Sequence, residues 1–160
     1  MGAEKRKMAK DDFLYTLEVI LISGPVSEKF IKKNPKISRK IQILGSNSLK
    51  DLHTIIFSAF DRDDEHMYEF QTKGKGPGDP KAKRYVLKGF EECGKKPEGY
   101  VSTLISELNL KVDEVFGYWF DFGDDWWHQI NVLSISDEIP KSKFPKIIEK
   151  LGKSPPQYEE

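Results

Sequence analysis

Short apolar stretches, separated by polar, glycine and proline breaks, divide the chain into candidate strands and one clear helix. Residues Phe13 to Ile22 are β-branched, aromatic and aliphatic, which predicts a first strand that ends at Gly24-Pro25. The charged segment that follows, up to Pro35, predicts a loop or short turn. From Ile37 to Ile43 aliphatic residues alternate with polar ones, with Arg39 interrupting the aliphatic face, and this pattern predicts a second strand.

The strongest helical signal begins at Ser48. This serine is a good N-cap, and Asp51 lies near the positive end of the helix dipole. Apolar residues then recur at helical spacing and predict a stripe that faces the core: Leu49, Leu52, Ile56, Ala59 and Phe60. The pattern breaks at residues 61–64, and a third strand is predicted beyond it, with His66, Tyr68 and Phe70 on one face.

Glycine, proline and lysine dominate residues 73–83, which predicts a loop because neither a helix nor a central strand tolerates that composition. A short strand is expected at Tyr85 to Leu87. Helical spacing of the apolar residues predicts a second helix over 101–110. Near the end of the chain, a short helix is expected over 146–151, stopped by Gly152.

Residues 115–133 form an aromatic and acidic block that predicts a β-hairpin. A two-residue type II′ turn at Gly123-Asp124 would place Asp121 opposite Trp126, and Trp119 opposite His128. In that register these four residues share one face, while Phe120, Phe122, Asp125 and Trp127 share the other. A three-residue turn would change the pairing. Because a strand interior is unfavourable for aspartate, we expect Asp121 to bond to His128 or to the indole N–H of Trp126.

Composition and charge narrow the class of protein. At 160 residues the chain fits one domain, which we place at 13–152, between a disordered tail at 1–12 and a C-terminal tail at 153–160. The 26 basic and 26 acidic residues cancel, so no global field favours nucleic acid or an anionic membrane. A single cysteine, Cys93, and the absence of a long apolar run predict a cytoplasmic protein outside the membrane, and we expect a monomer.

Three segments together resemble the plasmid pRiA4b ORF-3-like family of uncharacterised proteins. They are Leu49 to His53, Asp64 to Phe70, and Tyr118 to His128, in this order and spacing. The resemblance runs from about Tyr15 to about Pro156 and implies a compact, roll-like α+β domain with a largely antiparallel sheet and two main helices. It implies no established activity, although some relatives have been linked to mobile elements or fused to DNA-binding segments. The chain departs from the family pattern at Asp61-Arg62, where a Gly-Trp pair is usual, and after Pro156, where an acidic segment often follows.

All three histidines lie in these segments, and carboxylates accompany two of them. The candidate site residues are therefore His53, His66, Asp121, Asp124, Trp126 and His128. Imidazole and carboxylate groups suit a divalent metal, so a metal-assisted hydrolase using His66, Asp121 and His128 is one hypothesis. The alternative is that each histidine is a structural hydrogen-bonding group and Asp124 a turn residue, and we expect neither a metal nor another cofactor.

The function predicted is a non-catalytic binding or interaction domain rather than an enzyme. A nucleic-acid or protein partner is compatible with the sequence. The aromatic residues of 116–127 could stack on nucleic-acid bases if their rings were exposed. The aspartates among them would repel phosphate, however, so packing in the core is the better account of Phe116, Phe120 and Trp127. The residues available for phosphate contact are in the loop and the short strand that follows it: Lys73, Lys75, Lys81, Lys83 and Arg84.

Overall fold

The computed structural model of the protein describes residues 12–91 and 96–158. The predicted N-terminal tail, apart from Asp12, and Cys93 lie outside the described residues. Two helices and eight strands occur within the described ranges. In chain order they are β1 (Leu14–Ser23), α1 (Glu28–Lys33), β2 (Ser38–Leu44), α2 (Leu49–Ala59), β3 (Tyr68–Thr72), β4 (Lys83–Val86), β5 (Gly99–Tyr100), β6 (Val115–Phe120), β7 (Trp126–Ser136) and β8 (Lys146–Leu151).

One sheet contains all the strands, in the order β5-β4-β3-β6-β7-β1-β2-β8. Every neighbouring pair is antiparallel except β4 and β5. The predicted α+β class with a largely antiparallel sheet and two helices is therefore confirmed. No helix among the described residues is both long enough and apolar enough to cross a membrane.

Helix α2 packs on one face of the sheet and forms the core with it. Its N-terminus has a capping box, in which the Ser48 hydroxyl accepts from the Asp51 N–H and the Asp51 carboxylate accepts from the Ser48 N–H. The predicted apolar stripe of this helix is buried, and His53 is buried with it. Side chains from alternate positions of the central strands complete the core: Leu17, Val19, Ile41, Phe70, Phe116, Tyr118, Phe120 and Ile130.

Three predicted elements differ from the structure. The charged segment before Pro35 forms α1, with Ser27 accepting from the Phe30 N–H at its start. The predicted helix over 101–110 is reduced to a 3₁₀ turn at Ile105–Leu108. Its first residues instead bond to the start of α2, through Thr103 O to Leu49 N and Val101 O to Lys50 N, so those carbonyls cannot begin a helix.

The third difference is β8, where a helix was predicted. Its six residues pair with β2 at the edge of the sheet, with Ile147 opposite Ile41. Three of these six residues are charged, Lys146, Glu149 and Lys150, which is compatible with an edge strand because charged side chains protect a free edge from pairing with another chain. Pairing with β2 therefore decides between strand and helix for a segment whose local sequence is compatible with either.

The hairpin between β6 and β7 has a different register from the predicted one. Phe120 pairs with Trp126 and Tyr118 with His128, which leaves residues 121–125 as a longer turn. Asp121 and Asp125 have positive φ values of 63° and 57°, and the Asp125 N–H donates to the Asp121 carbonyl at 2.7 Å. The type II′ turn and the pairing of Trp119 with His128 were therefore wrong. Trp126 and His128 face the core, whereas Trp119 pairs with Trp127 on the opposite face.

Candidate functional site

His53 connects the surface to the buried centre of the sheet. Its Nε2 lies 2.9 Å from Glu65 Oε1, and its Nδ1 lies 2.6 Å from the Tyr118 hydroxyl. Because the Glu65 carboxylate only accepts, Nε2 carries the proton and Tyr118 donates to Nδ1. The imidazole also stacks on Tyr68, with ring centroids 3.6 Å apart. Burial lowers the pKa of His53, and the Glu65 carboxylate opposes this effect. The ring is thus held neutral between partners.

His128 is fully buried and is also held neutral. Its Nδ1 lies 3.2 Å from the Tyr118 carbonyl, and its Nε2 lies 2.8 Å from Nη2 of Arg62. Since a guanidinium only donates, His128 Nε2 must be the acceptor and Nδ1 must carry the proton. Burial, followed by the nearby Arg62 charge, holds the pKa of His128 well below its ordinary value. A metal at Nε2 would have to displace the arginine.

Arg62 is the residue that sequence reasoning missed. It is only 7% exposed, and its guanidinium lies over three rings, 4.9 Å from the Phe60 and Phe120 centroids and 5.1 Å from that of Trp126. No carboxylate within salt-bridge distance of it is found in the described ranges, and its Nη1 has no hydrogen-bond partner. Burial lowers its pKa to about 10. The rings and His128 are therefore the partners of a buried cation.

Trp126, a predicted site residue, belongs to this buried cluster. It is 1% exposed, and its indole N–H has no partner among the described residues. The sequence signal for the cluster was weak, because Arg62 is flanked by acidic residues that are typical of a surface loop. Only the combination of an arginine directly after a helix and a Trp-rich strand elsewhere hinted at a buried cation–π contact.

His66 and Asp121 form a separate cluster, in which His66 is half-exposed and Asp121 is buried. The His66 Nε2 lies 2.9 Å from the Tyr158 hydroxyl and 3.4 Å from Asp121 Oδ2. The other Asp121 oxygen accepts from the backbone N–H groups of Gly123 and Asp124 at 3.1 and 3.2 Å, so Asp121 shapes the turn. The expected bond of Asp121 to His128 or to Trp126 was wrong. Asp124 itself is exposed in the turn.

The structure therefore does not bring the candidate metal ligands together. His66 lies beside Asp121, whereas His128 faces Arg62 inside the core. Over residues 12–91 and 96–158 there is no group of three or more histidine, cysteine, aspartate or glutamate residues placed to hold a metal ion. His53 has its own partners in Glu65 and Tyr118. The three histidines act in three different local networks.

The C-terminal segment lies across the loop that contains these residues. The Ser154 hydroxyl donates to Asp61 at 2.6 Å and accepts from Nη2 of Arg39 at 2.9 Å. Gln157 accepts from the backbone N–H of Asp63 at 2.8 Å. Residues 153–158, predicted as a tail, are thus tied to the 61–66 loop by hydrogen bonds.

The basic residues proposed for phosphate contact are partly neutralised. Lys73 Nζ lies 2.9 Å from Glu114, and Arg84 lies 2.9 Å from Glu69. Lys75, Lys81 and Lys83 are exposed. Near Lys75 the loop is closed by the Asp79 carboxylate, which accepts from the backbone N–H groups of Lys75 and Lys81. These contacts leave three exposed lysines rather than a continuous basic surface.

A row of aromatic side chains lies on the sheet face opposite α2. Trp127 stacks on Trp119 with centroids 4.8 Å apart and planes 4° apart, and Trp119 stacks on Phe122 at 4.1 Å. The Trp119 indole N–H donates to Asp125 at 2.9 Å. All three rings are half-buried, so part of each ring meets solvent. We call Trp127, Trp119 and Phe122 the aromatic row; the predicted core position of Trp127 was wrong.

The aromatic row adjoins a shallow cleft that is too narrow to admit a water molecule. The residues that line the cleft include Met67, Arg84, Val86, Leu87, Phe90 and Phe122. Beside the row, the Pro77 loop covers Gly117, where an added Cβ would lie 2.8 Å from Pro77 Cα. The three rings of the row stay partly exposed beside this loop.

Comparison with known proteins places the chain among proteins without an assigned activity. The family model described as plasmid pRiA4b ORF-3-like protein matches residues 29–158. The uncharacterized protein y4hQ of Sinorhizobium fredii is 27% identical over 124 residues, which are 77% of this chain and 59% of that protein. The chain thus spans about three fifths of the length of this curated relative.

A solved structure shows the same fold. The crystal structure of a protein of unknown function, MM3350 from Methanosarcina mazei Go1, aligns with a TM-score of 0.68 and 20% identity. The alignment covers 87% of this chain and 70% of that one. At this identity the likeness shows the fold alone.

Proposed function

This chain belongs to the plasmid pRiA4b ORF-3-like protein family, as its three motif segments predicted, and we propose that it is a non-catalytic binding domain that uses the aromatic row as its contact surface. The observation that carries the proposal is the uncovered stack of Trp127, Trp119 and Phe122 on the outer face of the sheet. Large aromatic rings contribute more to binding than most other side chains, because each buries much apolar area with little loss of conformational freedom.

The networks around the histidines support a non-catalytic function. A general base needs a nitrogen that can reach a substrate proton, and both nitrogens of His53 and of His128 already have partners inside the protein. His66 is the half-exposed exception, but its Nε2 lies between Asp121 and Tyr158. The separated networks also give no support to the alternative of a metal-assisted hydrolase.

The charges around the aromatic row favour a protein partner over a nucleic acid. Asp124 and Asp125 are exposed at one end of the row, where they would repel phosphate. Arg84, in the cleft, is paired with Glu69 and adds no net positive charge. A nucleic-acid partner and an association with mobile elements therefore stay secondary possibilities, to be separated from a protein partner by experiment.

A cytoplasmic monomer is part of the same proposal. The chain has one cysteine and no net charge at neutral pH, which fits a domain that does not depend on disulfides or on an anionic surface. Sedimentation at micromolar concentration is expected to return the mass of one chain, 18.5 kDa.

A phage-displayed library of random 12-residue peptides tests the binding proposal. Selection on the protein is expected to enrich peptides whose binding is lost in the Trp119→Ala/Trp127→Ala variant. A matched control, Ile148→Ala/Leu151→Ala, removes exposed apolar side chains from β8 and should bind normally. Circular dichroism must first show that both variants are folded. If no peptide is enriched, or if the enriched peptides bind the tryptophan variant equally well, the aromatic row is not the contact surface.

A further inference from the structure

The two ends of the aromatic row are open to a ligand, whereas its middle is filled. Trp119 is stacked between Trp127 on the β7 side and Phe122 on the β3 side. Trp127, next to Ser23 of β1, and Phe122 each have one ring face turned away from Trp119, and both side chains are partly exposed to a partner. Flat groups and cations are the chemistry that binds to the face of an aromatic ring.

Acidic residues surround the end of the sheet at which the row lies. Asp121, Asp124 and Asp125 form the turn next to Phe122, and the turn carries no basic residue. The Asp121 N–H bonds to the Met67 carbonyl, which brings the neighbouring 61–66 loop to the same end. That loop adds exposed carboxylates: Asp61, Asp63, Asp64 and Glu65.

The cations within this region do not balance those carboxylates at the surface. Arg62 is buried and bonded to His128, and Arg84 is paired with Glu69 on the cleft floor. Lys88 is exposed but is not one of the residues that line the cleft. The surface that combines open ring faces with exposed carboxylates is therefore complementary to a positively charged partner.

We infer that the partner of the aromatic row is an arginine- or lysine-containing protein segment, whose cationic side chains pack on Trp127 and Phe122 while Asp124 and Asp125 neutralise their charge. This inference rests on the proposed binding function. Arginine fits best because its planar guanidinium stacks on an aromatic ring and bonds to a carboxylate at the same time. The exposed Phe90, which lines the same cleft as Phe122, offers an apolar contact to a neighbour of the basic residue.

Fluorescence anisotropy with three labelled peptides tests the inference. The peptides are 12-residue chains in which glycine alternates with arginine, with lysine or with glutamate. We expect the arginine peptide to bind more tightly than the lysine peptide, and the glutamate peptide not to bind. Raising the salt concentration from about 0.05 to 0.5 M should weaken the binding, because the rim charges are exposed to solvent. Equal binding of the arginine and glutamate peptides would overturn the inference.

Variants locate the binding on the surface. Asp124→Asn/Asp125→Asn keeps the turn, because asparagine tolerates the positive φ of Asp125 and its carbonyl can still accept from Trp119. It should weaken binding of the arginine peptide about fivefold to tenfold, from two partly screened charge contacts. Asp137→Asn/Glu138→Gln makes the same charge change beyond the other end of β7, and should leave the affinity within about twofold.

The outcomes separate this inference from the binding function on which it rests. If the random library yields binders that depend on the tryptophans but contain no basic residues, the binding domain stands and the cationic partner is excluded. If a labelled single-stranded 12-mer of DNA or RNA binds and is lost in the tryptophan variant, the partner is a nucleic acid and the inference is also overturned. If no library peptide depends on the tryptophans, the proposed function itself fails.

Discussion

Removal of the buried hydrogen bond between Arg62 and His128 should destabilise the fold strongly and non-additively. Nη2 of Arg62 has His128 Nε2 as its partner at 2.8 Å, and Nη1 has none among the described residues. His128→Leu removes the acceptor with little loss of volume, so a second buried donor on the same cation is left without a partner. Hydrogen bonds to charged groups contribute about 1.5–3 kcal/mol, and we expect the free energy of unfolding to fall by about that amount.

Substitution of Arg62 instead of His128 leaves the imidazole, rather than the guanidinium, without its hydrogen-bond partner. Arg62→Met keeps an unbranched chain under Phe60, Phe120 and Trp126, but leaves the lone pair of His128 Nε2 unpaired. In the double variant neither group is stranded, because a buried polar pair has been replaced by apolar side chains, an exchange that is often close to neutral. The double variant should therefore be more stable than the sum of the single losses predicts, by about 2 kcal/mol.

Urea unfolding followed by circular dichroism measures all four proteins at one pH. The control is His128→Gln, whose side-chain amide can still accept from Arg62, and which should lose less stability than His128→Leu. Additive losses, within about 0.5 kcal/mol, would show that the contact is not a coupled pair and would refute the reasoning. So would a His128→Leu protein as stable as the wild type.

The remaining predictions concern pH, the loop over the sheet and the C-terminal segment. The pKa of His128 is lowered in the folded state, so its stabilising contribution is complete above about pH 6.5 and falls below that pH, where the unfolded chain takes up a proton. His128→Gln should therefore reduce the pH dependence of the free energy of unfolding in urea, between pH 6.5 and 5, by up to about 1.4 kcal/mol per pH unit. An unchanged slope would contradict this. Gly117→Ala places a Cβ 2.5 Å from Gln71 Oε1 and 2.8 Å from Pro77 Cα, and should lower the stability measured by thermal unfolding by about 1–3 kcal/mol. Gly123→Ala, whose nearest contact is 3.4 Å away, should be nearly neutral, and equal effects of the two variants would disprove the close approach of the loop. Ser154→Ala removes the hydrogen bonds to Arg39 and Asp61 and should lower the free energy of unfolding by about 1–2 kcal/mol. Ser142→Ala, which loses only a hydrogen bond from the flexible Lys146, should change it little. The reverse order would be inconsistent with a packed C-terminal segment.

The main elements could be predicted from the sequence because their signals are local. The apolar spacing of α2 and its Ser48 cap are decided within a dozen residues, and the structure has both. The alternation between Ile37 and Ile43 likewise indicates β2. Family motifs added the α+β class, which is confirmed by the sheet.

The wrong predictions concern segments whose conformation is decided by residues that are distant in the sequence. β8 is a strand because β2 offers it an edge, and the 101–105 segment is irregular because α2 takes its carbonyls. In the hairpin, a shift of the pairing by one residue reversed the relation between Trp119 and His128, since neighbouring residues of a strand point to opposite faces. That shift follows from Asp121, whose carboxylate accepts two turn N–H groups, a contact that a glycine-based turn rule does not anticipate.

The candidate site was predictable only in part. His66 and Asp121 are neighbours, as a cluster of motif residues suggested, but His53 and His128 belong to other networks. The burial of Arg62 was not predicted because it depends on rings from three separate places in the chain: Phe60 directly after α2, Phe120 of β6 and Trp126 of β7. Within the aromatic row, Trp127 was assigned to the core, because the predicted register placed it on the same face as Phe120.

The indole N–H signals of the three tryptophans give the most direct test of the aromatic row as a binding surface. In a ¹⁵N-labelled sample titrated with the arginine peptide or a selected library peptide, the signals of Trp119 and Trp127 should shift progressively. The signal of Trp126, which is 1% exposed on the opposite face, should stay in place and serves as an internal control. Assignments follow from the three single Trp→Phe variants. Unmoved signals for Trp119 and Trp127 in the presence of a bound peptide would contradict the account.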